Sequence, residues 1–173
     1  MKLEWMETHR SLIEKMIRCG NIYAYTFHKQ RSFGTESMFS VSQIQTLEYI
    51  IETEESDEKM SDMARRLGVS KATFSKNVNS LMEKGLLEKF HCEGNQKNIY
   101  VKPTDQGRKV YQEYTTFILN DMFNDFLDKA NQIPPEYLKL VEDMMDHLME
   151  RMLVYQKGDQ EEEKEKRFIK IES

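Results

Sequence analysis

Cysteine is nearly absent from this chain of 173 residues, which has only Cys19 and Cys92. Two thiols cannot staple a disulfide scaffold, so a reducing, cytoplasmic setting is expected. No apolar run approaches the ~18 residues of a membrane span, and the opening MKLEWMETHR carries no apolar signal region. Catalytic signatures are also missing. The histidines, His9, His28, His91 and His147, are scattered over separate elements, with no His-Glu-x-x-His, Walker loop or nucleophile elbow. Asp143 and His147 could share a helix face, but such lone pairs are usually solvated. The expectation is therefore no enzyme, no metal and no cofactor. What the chain does have is a hydrophobic fraction of 39% and a charged fraction of 32%, which suits a helical protein with one real core.

The stretch that organises the rest runs from Ser70 to Gly85. Ser70 is a helix N-cap and Gly85 a stop. Phe74, Val78, Leu81 and Met82 fall on one side of the intervening helix. Ala72, Thr73, Lys76, Asn79 and Ser80 fall on the other, which has no carboxylate until Glu83. A helix meant for water mixes both signs. Short donors and lysines suit phosphates and base edges instead. Just before it, residues 61–67 read as a short helix with Ser61 as N-cap. Gly68-Val69-Ser70 makes a tight connection, and Ala64 is small enough for a close crossing. This is a helix-turn-helix pattern. An ordinary αα-corner is the plainer alternative for this segment alone.

Residues 86–104 favour the helix-turn-helix. Residues 86–92 read as a strand, 93–97 as a turn and 98–102 as a second strand that Pro103 ends. Thr104 then caps a new helix. A hairpin directly after such a helix is a wing with Lys97 at its tip. The run MSDMARRLGVSKATFSKNVNSLMEKGLLEKF, the wing and VKPTDQG together resemble the winged helix-turn-helix of the MarR family, the multiple-antibiotic-resistance regulators. The resemblance covers nearly all of the chain except the tail. Where the family has Leu before the Thr, Pro103 stands here. Asn95 and Lys97 occupy the wing-tip Asp-x-Arg positions, and Lys89 replaces an Arg on the first wing strand. Lysine lacks the planar fork that suits a narrow minor groove.

Residues 59–109 hold eleven basic and five acidic side chains, a net of +6 in a chain of −5, which leaves −11 elsewhere. An acidic body with a local basic face is the footprint of a nucleic-acid binder. Flanking this segment are long apolar stripes. Trp5, His9, Leu12, Met16, Gly20, Tyr23 and Phe27 predict a first helix over residues ~4–31. Ser40 to Gln43 is a capping-box candidate that opens a helix through Ile51. Val110, Tyr114, Phe117, Ile118, Phe126 and Leu127 predict a long helix broken at 131–135. Pro134 and Pro135 open the next one, with Tyr137, Val141, Met144, Met145, Leu148, Met152 and Tyr155 at close to 3.5-residue spacing. Residues 158–173 read as a solvated helix extension or a disordered tail.

A mainly α fold with a small β wing is thus expected. Its parts are an N-terminal dimerisation helix (1–34), a winged domain (35–103; recognition helix 70–84, wing 86–102), C-terminal dimerisation helices (104–157) and a charged tail. Helices of this length need a second subunit to cover their stripes, so a symmetric homodimer is expected rather than a monomer with folded-back termini. Two recognition helices would then read a near-palindromic operator in double-stranded DNA. Thr73, Ser75 and Lys76 are the candidates for base edges. Ser70, Lys71, Lys89, Asn95 and Lys97 are those for phosphates and the wing. The resemblance implies a repressor released by a small molecule bound where the first, second and fifth helices meet. Cys19-Gly20-Asn21-Ile22-Tyr23-Ala24 also resembles the Cys-x-x-x-Tyr-Ala of the family's organic-peroxide sensors. Ile44 stands where those have a second-helix Tyr, and a buried, inert Cys19 is the expected state. A redox-sensing regulator and a winged-helix protein-interaction module are the alternatives.

Overall fold

The computed structural model describes residues 6–56, 58–92 and 95–164, with side chains described for 6–56, 58–90 and 100–153. In chain order the elements are α1 (Arg10–Thr26), α2 (Val41–Glu52), α3 (Met60–Arg66), α4 (Lys71–Glu83), β1 (Leu87–Cys92), β2 (Asn95–Pro103), α5 (Asp105–Ile118), a π-helical turn (Leu119–Phe123), α6 (Asn124–Ala130) and α7 (Pro135–Lys164). They fall into two compact units, Met1–Asp121 and Met122–Ser173. This is a mainly α, winged-helix architecture.

The first unit is held by a core of Phe39, Ile44, Leu47, Ile50, Phe74, Val78, Leu81, Leu86, Leu87 and Val110, drawn from α2, α4, the start of the wing and α5. Each such side chain contributes roughly 1.5–3 kcal/mol when taken fully out of water. Local caps fix where these helices begin. Ser40 Oγ accepts from Gln43 N while Gln43 Oε1 accepts from Ser40 N, the reciprocal capping box. Ser70 Oγ accepts from Thr73 N at 3.0 Å, and Thr104 Oγ1 accepts from Gly107 N at 3.0 Å.

Helix ends are equally specific. Gly68 takes φ +67 and Gly85 φ +72, the left-handed conformation that side chains resist. After α3, Val69 N donates to Ala64 O and Gly68 N to Arg65 O. After α4, Leu86 N donates to Leu81 O and Gly85 N to Met82 O. Both are Schellman closures. The first turns the chain from α3 into α4 in four residues, and the second delivers Leu86 and Leu87 to the core.

Several expected boundaries shift. The first helix spans Arg10–Thr26 rather than ~4–31. Beyond it Arg31 and Phe39 exchange two backbone bonds of 2.8 Å, and that bridge cannot coexist with a helix running to 31. Helix α3 starts at Met60 with Lys59 as N-cap, so Ser61 lies inside it. Strand β2 begins at Asn95, because Cys92 pairs with Asn95 where a longer turn is expected. The ladder then runs Leu87↔Pro103, Glu88↔Lys102, Lys89↔Val101, Phe90↔Tyr100 and His91↔Ile99, and slips between His91 and Cys92.

α1 buries none of its residues; Leu12, Ile17 and Ile22 stay about half exposed. In the second unit Phe123 and Phe126 meet edge to face at 6.0 Å. Val141, Met144, Leu148 and Met152 of α7 lie open. α7 runs unbroken through Gly158 to Lys164, so the first part of the tail is helical.

Candidate nucleic-acid interface

Helix α4 divides cleanly. Phe74, Val78 and Leu81 are essentially inaccessible, at 1% exposure or less. Opposite them Lys71, Ser75, Lys76 and Asn79 are exposed. No hydrogen bond or ion pair among the described residues ties down the side chains of Lys71, Ser75 or Lys76. Lys84, at the C-terminal end, lies 5.3 Å from the centre of the Phe39 ring.

The arginines nearby, and Lys109, are engaged. Arg65 pairs with Asp62 at 3.3 Å, Arg66 with Glu58 at 3.1 Å, Arg108 with Glu54 at 2.7 Å and Lys109 with Glu113 at 3.7 Å. The Arg66 guanidinium also lies over the Tyr49 ring at 4.8 Å. Such exposed pairs contribute little stability, but they leave the uncommitted positive charge of the helix-turn-helix on lysines, Lys71 and Lys76 of α4 among them. That is charge a phosphate backbone can meet without first breaking an ion pair.

Thr73 is half-buried, and its hydroxyl lies 2.8 Å from Ser70 Oγ, so it belongs to the cap more than to an open reading face. Ser80 does not sit on the outer face as the helical periodicity implies. It is half-buried and accepts from Gln43 Nε2 at 2.9 Å. Lys89 reaches from β1 to α4, where its Nζ donates to Asn79 Oδ1 at 2.8 Å. Wing and recognition helix are thereby tied through Asn79, a residue that the periodicity puts on the outer face but that no base or phosphate role singles out. Asn95 and Lys97 lie in β2, and their side chains fall outside the described residues.

Asn77, three residues after Phe74 and four before Leu81, falls on the apolar side of α4 despite its polar side chain. It is 7% exposed, and its Nδ2 lies 2.7 Å from Ser42 Oγ, 3.0 Å from Thr46 Oγ1 and 3.1 Å from Ser42 O. These partners precede it by 31 and 35 residues, and nothing local in the sequence announces them.

A second polar cluster lies where α1, α2 and α5 meet. Tyr23 Oη donates to Gln45 Oε1 at 2.8 Å, Tyr111 Oη to Glu52 Oε1 at 2.7 Å and Tyr114 Oη to Glu48 Oε2 at 3.4 Å. Burial, reinforced by the Glu52 charge, pushes the Glu48 carboxyl above the usual carboxylate range. Tyr111 and Tyr114 are pushed upward too, first by burial and then by the neighbouring glutamates.

Cys19 is exposed on α1, against the expectation that it is buried; α1 packs too little of its surface within its own unit to cover it. Ile44, at the position of the sensors' tyrosine, is buried at 1%. Asp143 turns its carboxylate to Lys139 at 3.2 Å, while His147 Nδ1 lies 2.8 Å from the Asp143 backbone oxygen. The carboxylate and the imidazole are thus not brought together. Among the described residues no three His, Cys, Asp or Glu side chains converge, and no helix is long and apolar enough to cross a membrane.

Comparison with known proteins agrees with this geometry. Residues 39–96 match the MarR family. By sequence, no curated protein matches the chain. By structure it is similar to the zinc-responsive MarR-family member ZitR of Lactococcus lactis, with TM-score 0.58, 16% identity, and coverage of 83% of this chain and 98% of that one. ZitR in complex with DNA gives TM-score 0.57 at 16% identity, covering 83% and 97%. The PcaV transcriptional regulator of Streptomyces coelicolor, in complex with its natural ligand, gives 0.55 at 16% identity, covering 87% and 98%. At these identities the likeness is one of fold. Residues 39–96 thus match the MarR family, and the chain has the winged-helix fold seen in those solved regulators.

Proposed function

We propose that this chain is a sequence-specific, DNA-binding transcription regulator that works as a homodimer and represses until a small ligand releases it. The observation that carries the reading is the face of α4. Lys71, Ser75 and Lys76 are exposed and uncommitted, while the arginines of the same segment are paired with carboxylates. A helix of this kind enters the major groove, where side-chain donors meet base edges and lysines meet phosphates. Lys89 and Lys97 extend the contact through the wing. The fold shared with a regulator described in complex with DNA supports this.

Dimerisation is supported by the open apolar stripes of α1 and α7. An apolar stripe left open along a helix marks an interaction site in a water-exposed protein. Release is supported by the Tyr and Glu side chains gathered between α1, α2 and α5, which offer both donors and charge to a small molecule.

Fluorescence anisotropy with a mixed-sequence duplex across a salt series tests the reading. Counterion release makes the log–log slope steeply negative, about −5 or steeper for two subunits that each neutralise several phosphates. An affinity that ignores salt contradicts DNA binding and favours the protein-interaction module. A second, redox-responsive reading draws on the exposure of Cys19. Slow alkylation of Cys19 at pH 7 in the native protein removes it.

A further inference from the structure

Packing between α2 and α4 is apolar at its centre, through Ile44, Leu47 and Ile50 against Phe74, Val78 and Leu81, with a half-buried polar contact at its edge from Gln43 Nε2 to Ser80 Oγ. Apolar contacts of this kind tolerate sliding and rotation: cores keep stability under repacking but lose a unique arrangement. Asn77 breaks the pattern. It is one of the few buried polar residues of the first unit, and its amide nitrogen is directed at three oxygens of α2 in two successive turns, those of Ser42 and Thr46. Thr46 is itself wholly buried, and its hydroxyl donates to Ser42 O at 2.7 Å, which leaves its lone pairs for Asn77.

We propose that Asn77 is a positioning residue for DNA readout, a polar pin that fixes the rotation of the recognition helix about its own axis. The inference rests on the DNA-binding reading above and adds a specificity-determining residue that touches no DNA. Its neighbour Lys76 points the other way, into the exposed face. Side-chain atoms on a helix lie about 5–6 Å from its axis, so a rotation of about 20° moves them by about 2 Å. A hydrogen bond to a base edge survives a change of only a few tenths of an ångström. An unpinned α4 keeps its charge, and therefore its hold on phosphates, but blurs its aim at bases. A single buried polar residue that selects one register among near-equal packings is the best-attested use of such groups.

The test uses the full-length chain and an operator selected by the wild type from random duplexes. The quantity read is the ratio of Kd for a duplex with one changed base pair to Kd for the operator, beside the thermal unfolding midpoint. Asn77→Leu keeps the branching of the side chain without the donor. It is expected to lose about tenfold in the ratio, the value of one well-aimed base contact, with the midpoint unchanged or raised. Thr46→Val removes one acceptor and is expected to lose less, in the same direction. A purely structural role moves the midpoint and leaves the ratio alone. An Asn77→Leu protein that discriminates as the wild type does overturns the proposal while DNA binding stands. If Asn77→Leu does not fold, Thr46→Val decides: a lowered ratio supports the pin, and an unchanged one overturns it. A wild type that enriches no duplex overturns the DNA-binding reading and the pin with it.

Discussion

Lys76 and Glu48 show how much a single side chain carries here. Lys76 is exposed on α4 and is not tied to any described side chain, so Lys76→Ala leaves the fold alone. Removing one base-edge contact is expected to reduce discrimination by ~1–3 kcal/mol, seen as a flatter ranking of operator variants in competition binding. Glu48 behaves oppositely, because its cost is inside. Burial and the Glu52 charge favour its protonated form in the folded state. Any stability this group adds is therefore present below its unfolded pKa and lost as pH rises through the higher folded pKa. Glu48→Gln is expected to raise the unfolding midpoint at pH 8, with the gain shrinking at acid pH where the wild-type carboxyl is already protonated. Thermal melts of both proteins across that range check the sign. Much at this scale was legible: the Ser40, Ser70 and Thr104 caps act within three residues. Asn77 was not, because its partners lie in another helix and only the packed fold brings them within reach.

At the scale of elements, the junction between wing and α5 leaves no room for a side chain at Gly107. Gly107 is buried in the first turn of α5, and a Cβ there would overlap the Leu86 carbonyl oxygen. That oxygen also accepts from Thr104 N at 3.0 Å, so it cannot move aside freely. Gly107→Ala is expected to destabilise by roughly 2–4 kcal/mol through backbone displacement, measurable by urea denaturation. In the wing, Lys97→Ala is expected to weaken binding alike for all sequences and to reduce the salt slope by about 0.9 for each phosphate no longer neutralised. The hydrophobic periodicity identified α2, α4 and α5, whose buried faces repeat regularly. It overran α1, because the apolar residues after Thr26 belong to the turn leading to the Arg31 and Phe39 bridge. It also gave no hint of the π-helical turn at Leu119–Phe123. One extra residue per turn changes which face an apolar side chain occupies without changing composition.

For the whole molecule, the decisive feature is what stays uncovered. A chain with Ile17 at 58% exposure, Phe126 at 61% and Met152 at 60% carries apolar surface that water penalises. A second copy is expected to cover it, in an interface well above about 1,000 Å². Leu148→Glu on α7 puts a charge into that seam. It is expected to shift the sedimenting species from two subunits to one and to abolish tight operator binding, while the circular dichroism of the helices persists. That α7 would be long and striped was readable from residue spacing, whereas α5, which the same spacing grouped with it, sends Val110 and Tyr114 into the core of the first unit. The partner of α7 was not readable, since periodicity states that a face is apolar and leaves open what meets it.

Sequencing of the duplexes that purified protein retains from a random pool at low salt bears most directly on the central claim, that paired α4 helices present a lysine-and-hydroxyl face to DNA. The expected result is enrichment of an inverted repeat whose half-sites are centred about one helical turn, 10–10.5 base pairs, apart. A retained pool as random as the input, or a lone half-site without its mate, would contradict it.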